Sequence, residues 1–127
     1  MLHKQYAARS EDFFTEVKVQ DCYNLVNTKK YCIFVLYDFE QEWHNSTYHI
    51  REASEDYLSA IERLSVIFNK DWHYYKIDFN KIETVLFEPL HLPAAYAFIN
   101  GERKASFGGQ MPSDESIIKY FKTLENG

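Results

Sequence analysis

YCIFVLYDFEQEWHNST, residues 31–47, passes from a nearly unbroken apolar run into a polar stretch that sets Trp43 beside His44. The run at 31–38 is short and rich in β-formers. A strand that is apolar on both faces has to be covered on both, so this segment reads as a central strand with helices above and below. The fold class that follows is α/β.

The neighbouring segments extend this layered arrangement. From Ser46 to Phe68, apolar residues recur at Ile50, Ala53, Tyr57, Ile61, Leu64 and Phe68, spacings of three or four that turn one helical stripe toward a sheet. Ser46 and Thr47 are the candidate N-caps, since a hydroxyl can accept from an unpaired N–H of the first turn. Upstream, FFTEVKV (13–19) alternates as a short strand does, and QDCYNLVNTKK (20–30) is one-sided in the manner of a short helix. HYYKIDF (73–79) predicts a strand. NKIETVLF (80–87) predicts a short helix capped by Asn80 and stopped by Pro89, which lacks an N–H donor.

AAYAFI (94–99) and ERKASF (102–107) flank Asn100-Gly101, a dipeptide whose tolerance of positive φ makes it a strong hairpin signal. After a break at Gly108-Gly109, PSDESIIKYFKTLE (112–125) carries Ile117, Tyr120, Phe121 and Leu124 as an amphipathic stripe. Ser113 is followed three residues later by Ser116, so the capping box is incomplete. The predicted order is β-α-β-α-β-α-β-β-α around a central mixed sheet.

Composition limits what such a chain does. Its 127 residues fit one domain, 1–127, with 1–12 read as a loosely ordered or helical extension. A content of 46% hydrophobic and 17% aromatic residues marks a packed globular chain. The net charge of −5, with no basic cluster longer than TKK (28–30) or ERK (102–104), argues against binding nucleic acid through its phosphates. No apolar run reaches the roughly 18 residues of a membrane span, and MLHKQYAARSEDFF lacks an apolar signal-peptide core. The expected compartment is the cytoplasm, with a trimmed lumenal or periplasmic protein as the alternative. Ten Tyr and ten Phe are also compatible with a homodimer interface.

Two segments bring this order close to a known family. DFEQEWHNST (38–47) is similar, without a gap, to the thioredoxin signature Asp-Phe-Trp-Ala-Glu-Trp-Cys-Gly-Pro-Cys, sharing Asp38, Phe39, Glu42 and Trp43. LPAAYAFINGE (92–102) resembles the later thioredoxin segment in which an apolar residue, a cis-proline and an apolar strand lead to Asn-Gly-Glu. The resemblance covers essentially the whole chain and implies a thioredoxin-like fold with Pro93 as the cis-proline.

The same alignment removes the family's chemistry. His44 stands where the nucleophilic cysteine would be and Thr47 where the resolving one would be, and neither can form or resolve a mixed disulfide. The two cysteines present, Cys22 and Cys32, have nine residues between them and form no CxxC; the first is expected on a peripheral helix and the second inside the central strand, both inert. Asp38 matches the family's buried carboxylate, left without a disulfide to serve. A buried Asp must be hydrogen-bonded or neutral.

What the resemblance leaves intact is a surface. In thioredoxins the Trp and the backbone beside the cis-proline hold an extended peptide by strand-like bonds, a mode that needs no thiol. The expected peptide-binding residues are Trp43, His44, Asn45, His91, Leu92 and Pro93. The expectation is therefore a redox-inactive thioredoxin-like adaptor or chaperone-like module with a protein or peptide partner, no catalytic residue, no cofactor and no metal. The alternative is an enzyme of non-standard chemistry, using a single thiol or a metal on His44 and His91 near Asp38, a donor set acceptable to zinc or copper. Asn45-Ser46-Thr47 also forms a glycosylation sequon, which has a use only in a lumenal protein.

Overall fold

Strand β2 (Tyr31–Tyr37) runs through the middle of a five-stranded sheet of order β1-β3-β2-β4-β5. In the computed structural model the described residues are 13–38, 50–78, 93–109 and 112–126. Along the chain the other elements are β1 (Thr15–Glu16), α1 (Val19–Thr28), α2 (Ile50–Leu64) with a following 3-10 turn (Ser65–Ile67), β3 (His73–Asp78), β4 (Ala94–Ile99), β5 (Glu102–Gly108) and α3 (Asp114–Asn126). β1 and β2 flank β3 in parallel, whereas β4 pairs antiparallel with both β2 and β5. The helix expected over 80–87 and the extension 1–12 lie outside the described residues.

The two-sided burial expected of β2 is what the sheet requires. Ile33 and Val35 point into a cluster with Tyr57, Leu58 and Ile61 of α2 and Ile117 and Phe121 of α3. Cys32, Phe34 and Leu36 point the other way, into a cluster with Val19, Cys22 and Val26 of α1. Alternation at period two therefore feeds two cores from one strand. Burying a large apolar side chain contributes about 1.5–3 kcal/mol, so this strand anchors both layers.

Three expectations change in detail. The strand expected over 13–19 is paired only at Thr15 and Glu16, because the chain turns into α1 at Val19, whose apolar side chain fits a helix start as well as a strand. The backbone N–H of Lys18 donates to Asp21 Oδ2 at 3.3 Å, fixing that start. On α2 the buried face is broader than one stripe. Ser54, Glu55, Leu58 and Ala60 are buried with Tyr57, Ile61 and Leu64, since the helix is covered by both the sheet and α3. On α3, Tyr120 is 45% exposed, and Glu125 takes a buried place instead. Ser113 still caps α3, its Oγ accepting from Ser116 N–H at 3.2 Å.

The β4–β5 hairpin turns where Asn100-Gly101 predicts, with φ of 52° and 82° at the two residues. Asn100 N–H donates to Lys30 O at 2.8 Å, which ties the turn to the start of β2. A register irregularity lies between Ala97 and Phe98.

Candidate functional site

The pairing of Leu36 with Ala94 fixes the geometry of the candidate site. Asp38 follows β2 by one residue and Pro93 precedes β4 by one, so both sit at the same end of two adjacent antiparallel strands. β3 runs parallel to β2 and ends at Asp78 on the same edge. Segments 39–49 and 79–92, which follow Asp38 and Asp78 in the chain, lie outside the described residues. Ligands of open α/β sheets gather at such carboxyl ends of parallel strands. Trp43, His44, Asn45 and Thr47 belong to the first segment and His91 and Leu92 to the second, and these six lie outside the described residues.

Asp38 is fully buried. Its backbone is held from α2 by one hydroxyl acting twice. Asp38 N–H donates to Ser54 Oγ at 3.1 Å, and the Ser54 hydroxyl faces Asp38 O at 3.4 Å. This contact locks the end of β2 to α2 before the chain turns into 39–49. Pro93 is anchored from the other side, its carbonyl accepting from Gly109 N–H at 2.9 Å. Gly109 has φ of 78°, which suits glycine alone without strain.

A second polar group lies one strand away from Asp38. Lys76 of β3 is buried, with its Nζ 5.6 Å from the centre of the Tyr37 ring, and the Tyr37 hydroxyl donates to Glu16 of β1. A cation over an aromatic face is favourable when it is shielded from water. Sequence reasoning missed this set and Ser54. The only signal was the unusual placing of a lysine inside HYYKID, where an i, i+2 pattern puts Tyr74, Lys76 and Asp78 on one face.

Both cysteines are far from thiolate chemistry. Cys22 and Cys32 are free and fully buried within the α1-side core. Burial pushes the Cys22 thiol up to about 12, with the negative charge of Asp21 and the neighbouring Cys32 adding to it. Burial pushes Cys32 up to about 11, against a smaller downward pull from Lys29. Each sulfur lies by a backbone carbonyl, Cys22 by Lys18 O at 3.6 Å and Cys32 by Lys29 O at 3.6 Å. A thiol that is protonated at neutral pH and closed to solvent is a poor nucleophile.

Among the described residues no group of three or more His, Cys, Asp or Glu is placed to hold a metal ion. Among them, too, no helix is long and apolar enough to cross a membrane.

Solved thioredoxins share this architecture. A reduced Schistosoma mansoni thioredoxin pre-protein superposes with a TM-score of 0.61 at 17% identity, covering 87% of this chain and 96% of that one. Plasmodium falciparum thioredoxin gives 0.60 at 13% identity, over 86% and 97% of the two chains. A cysteine-to-serine mutant of an Entamoeba histolytica thioredoxin gives 0.57 at 11% identity, over 87% and 98%. No protein-family model and no curated protein sequence matches the chain. The fold is thioredoxin-like, and at these identities the likeness speaks for the fold alone.

Proposed function

We propose that this thioredoxin-fold chain is a redox-inactive binding module, an adaptor or chaperone-like protein that holds an extended protein segment at the edge where Asp38 and Pro93 meet. The observation that carries the reading is a substitution on a retained frame. The sequence keeps Trp43, Leu92 and Pro93 of the peptide-holding surface while placing His44 and Thr47 where the two reactive cysteines belong. Its two thiols are buried in the α1-side core, with their pKa values raised. Backbone pairing beside Pro93 and an aromatic contact at Trp43 supply affinity by strand addition, without bond-making. His44, Asn45 and His91 then act as polar contacts around that anchor.

The test pairs binding with chemistry. Peptides selected from a random display library against the full chain are re-measured on the Trp43→Ala and Leu92→Asp variants, with folding checked by circular dichroism, and the wild type is assayed for reduction of insulin disulfides. The reading expects peptide binding that both variants lose and no insulin reduction. Turnover of insulin, or peptide binding indifferent to both substitutions, overturns it.

A further inference from the structure

The end of the sheet away from Asp38 and Pro93 holds a cleft of about 580 Å³. β2 spans the distance between the two ends, roughly 20 Å for a strand of its length, so the cleft is separate from the peptide surface proposed above. Tyr31, Ile99 and Leu124 supply its apolar lining, and Lys30, Lys70 and Lys104 its cations. Its size is that of a small-molecule site, and polar and charged residues make up most of its lining.

The charges in the cleft are unequally committed. Of its two carboxylates, Glu125 already accepts from the backbone N–H groups of Asn69 and Lys70 and from the indole of Trp72. Glu102 holds Lys104 Nζ at 2.9 Å. Lys70 lies close enough to Glu125 to help hold its pKa down, yet neither Lys70 nor Lys30 forms an ion pair with a described carboxylate. Lys30 Nζ instead rests 5.4 Å from the centre of the Tyr31 ring. Three separate segments thus bring ammonium groups to one cleft in a chain whose net charge is −5. Glu102 and Glu125 offset two of these charges, which leaves the cleft a formal excess of one positive charge, with Lys30 and Lys70 outside any ion pair with a described carboxylate.

The last turn of α3 offers a competing explanation, since it has no basic residue of its own and its carbonyl end favours cations. That explanation needs one cation near the helix end, whereas Lys30 and Lys104 are carried by the start of β2 and by β5. We propose that this cleft binds a small multivalent anion, with Lys30 and Lys70 as the free charges and the apolar lining taking any carbon body. Phosphate and carboxylate groups share this chemistry, and lysine meets either as a point charge.

The test is a titration of the full ¹⁵N-labelled chain with pyrophosphate, ATP and citrate, each at low ionic strength, followed by amide shifts. Saturable shifts confined to Lys30, Tyr31, Asn100, Lys70 and the last turn of α3 are expected with at least one probe. Which probe binds best separates a phosphate from a carboxylate ligand and a bare anion from one with an organic body. Lys30→Gln/Lys70→Gln should weaken binding about tenfold, while Lys122→Gln on the exposed side of α3 leaves it unchanged. Glu102→Gln, which releases Lys104, should tighten it by about threefold. Linear, non-saturating shifts spread over many lysines overturn the proposal. So does a lowered melting temperature in Lys30→Gln/Lys70→Gln with no saturable binding by the wild type, the result expected if the lysines serve only the helix end.

Discussion

The carboxylate of Glu125 accepts the indole N–H of Trp72 at 2.8 Å, joining the last turn of α3 to the residue just before β3. The same carboxylate takes the backbone N–H of Asn69 at 3.0 Å and of Lys70 at 2.8 Å. One side chain, 9% exposed, thus satisfies three donors in the turn that leads into the sheet. Glu125→Ala leaves all three without it and should cost about 2–4 kcal/mol, read from urea unfolding at neutral pH. Glu125→Gln keeps one acceptor and should cost less.

The pH dependence of that loss has a definite sign. Burial alone raises the Glu125 pKa, but the donors of Asn69, Trp72 and Lys70 outweigh it and hold the carboxyl below its ordinary value. A depressed folded pKa means stability that is complete above the unfolded value of about 4.3 and disappears as pH falls through the folded one. The stability difference between wild type and Glu125→Gln should be flat near neutrality and shrink below about pH 4. A difference that grew on acidification would contradict the assignment.

Cys22 and Cys32 give the opposite sign. Unfolded thiols ionise near about 8.5, whereas in the fold burial raises them to about 12 and about 11. Their contribution is intact below the unfolded value and is lost as pH rises toward the folded ones. Native protein should resist alkylation by iodoacetamide at pH values where a free cysteine reacts, and should label fully in denaturant. Rapid labelling of the native chain would show that a sulfur reaches solvent.

Ser54→Ala removes the hydroxyl that accepts from Asp38 N–H. A buried donor left without its acceptor costs about 1–3 kcal/mol, and amide exchange at Asp38 should accelerate beyond the change in global stability. Exchange that merely tracks global stability would mean that the contact does not anchor the end of β2.

Gly101→Ala places a side chain at φ of 82°. The added Cβ would meet Asn27 Oδ1 at 3.5 Å, an ordinary contact, so the penalty comes from the backbone, about 1–2 kcal/mol. Asn100→Gly should be far milder, because glycine accepts the same conformation.

How much of this was legible depends on how local the signal is. β2 could be read because its apolar run leaves no face for water, and the hairpin because Asn100 and Gly101 carry their φ requirement within two residues. β1 was overestimated, since period two over FFTEVKV cannot say where Val19 stops serving a strand and starts a helix. Glu125 was invisible, because a Glu in the last turn of an amphipathic helix reads as solvent-facing until the turn at 69–72 folds beneath it. Of the candidate site, sequence gave the positions of Asp38 and Pro93 along the chain, and strand register supplied their meeting at one edge. Ser54, which holds the Asp38 backbone, lies sixteen residues away and is announced by no motif.

The register irregularity at Ala97/Phe98 skips Lys104 on β5, an outer strand whose first three residues are Glu102, Arg103 and Lys104. A kinked ladder and a row of charges make a poor template for another strand, so this flank of the sheet is guarded against runaway edge-to-edge growth. The opposite flank is shielded differently, by brevity: β1 offers two paired residues, too few to seed a fibre. Colloidal behaviour in this molecule is thus written into its margins.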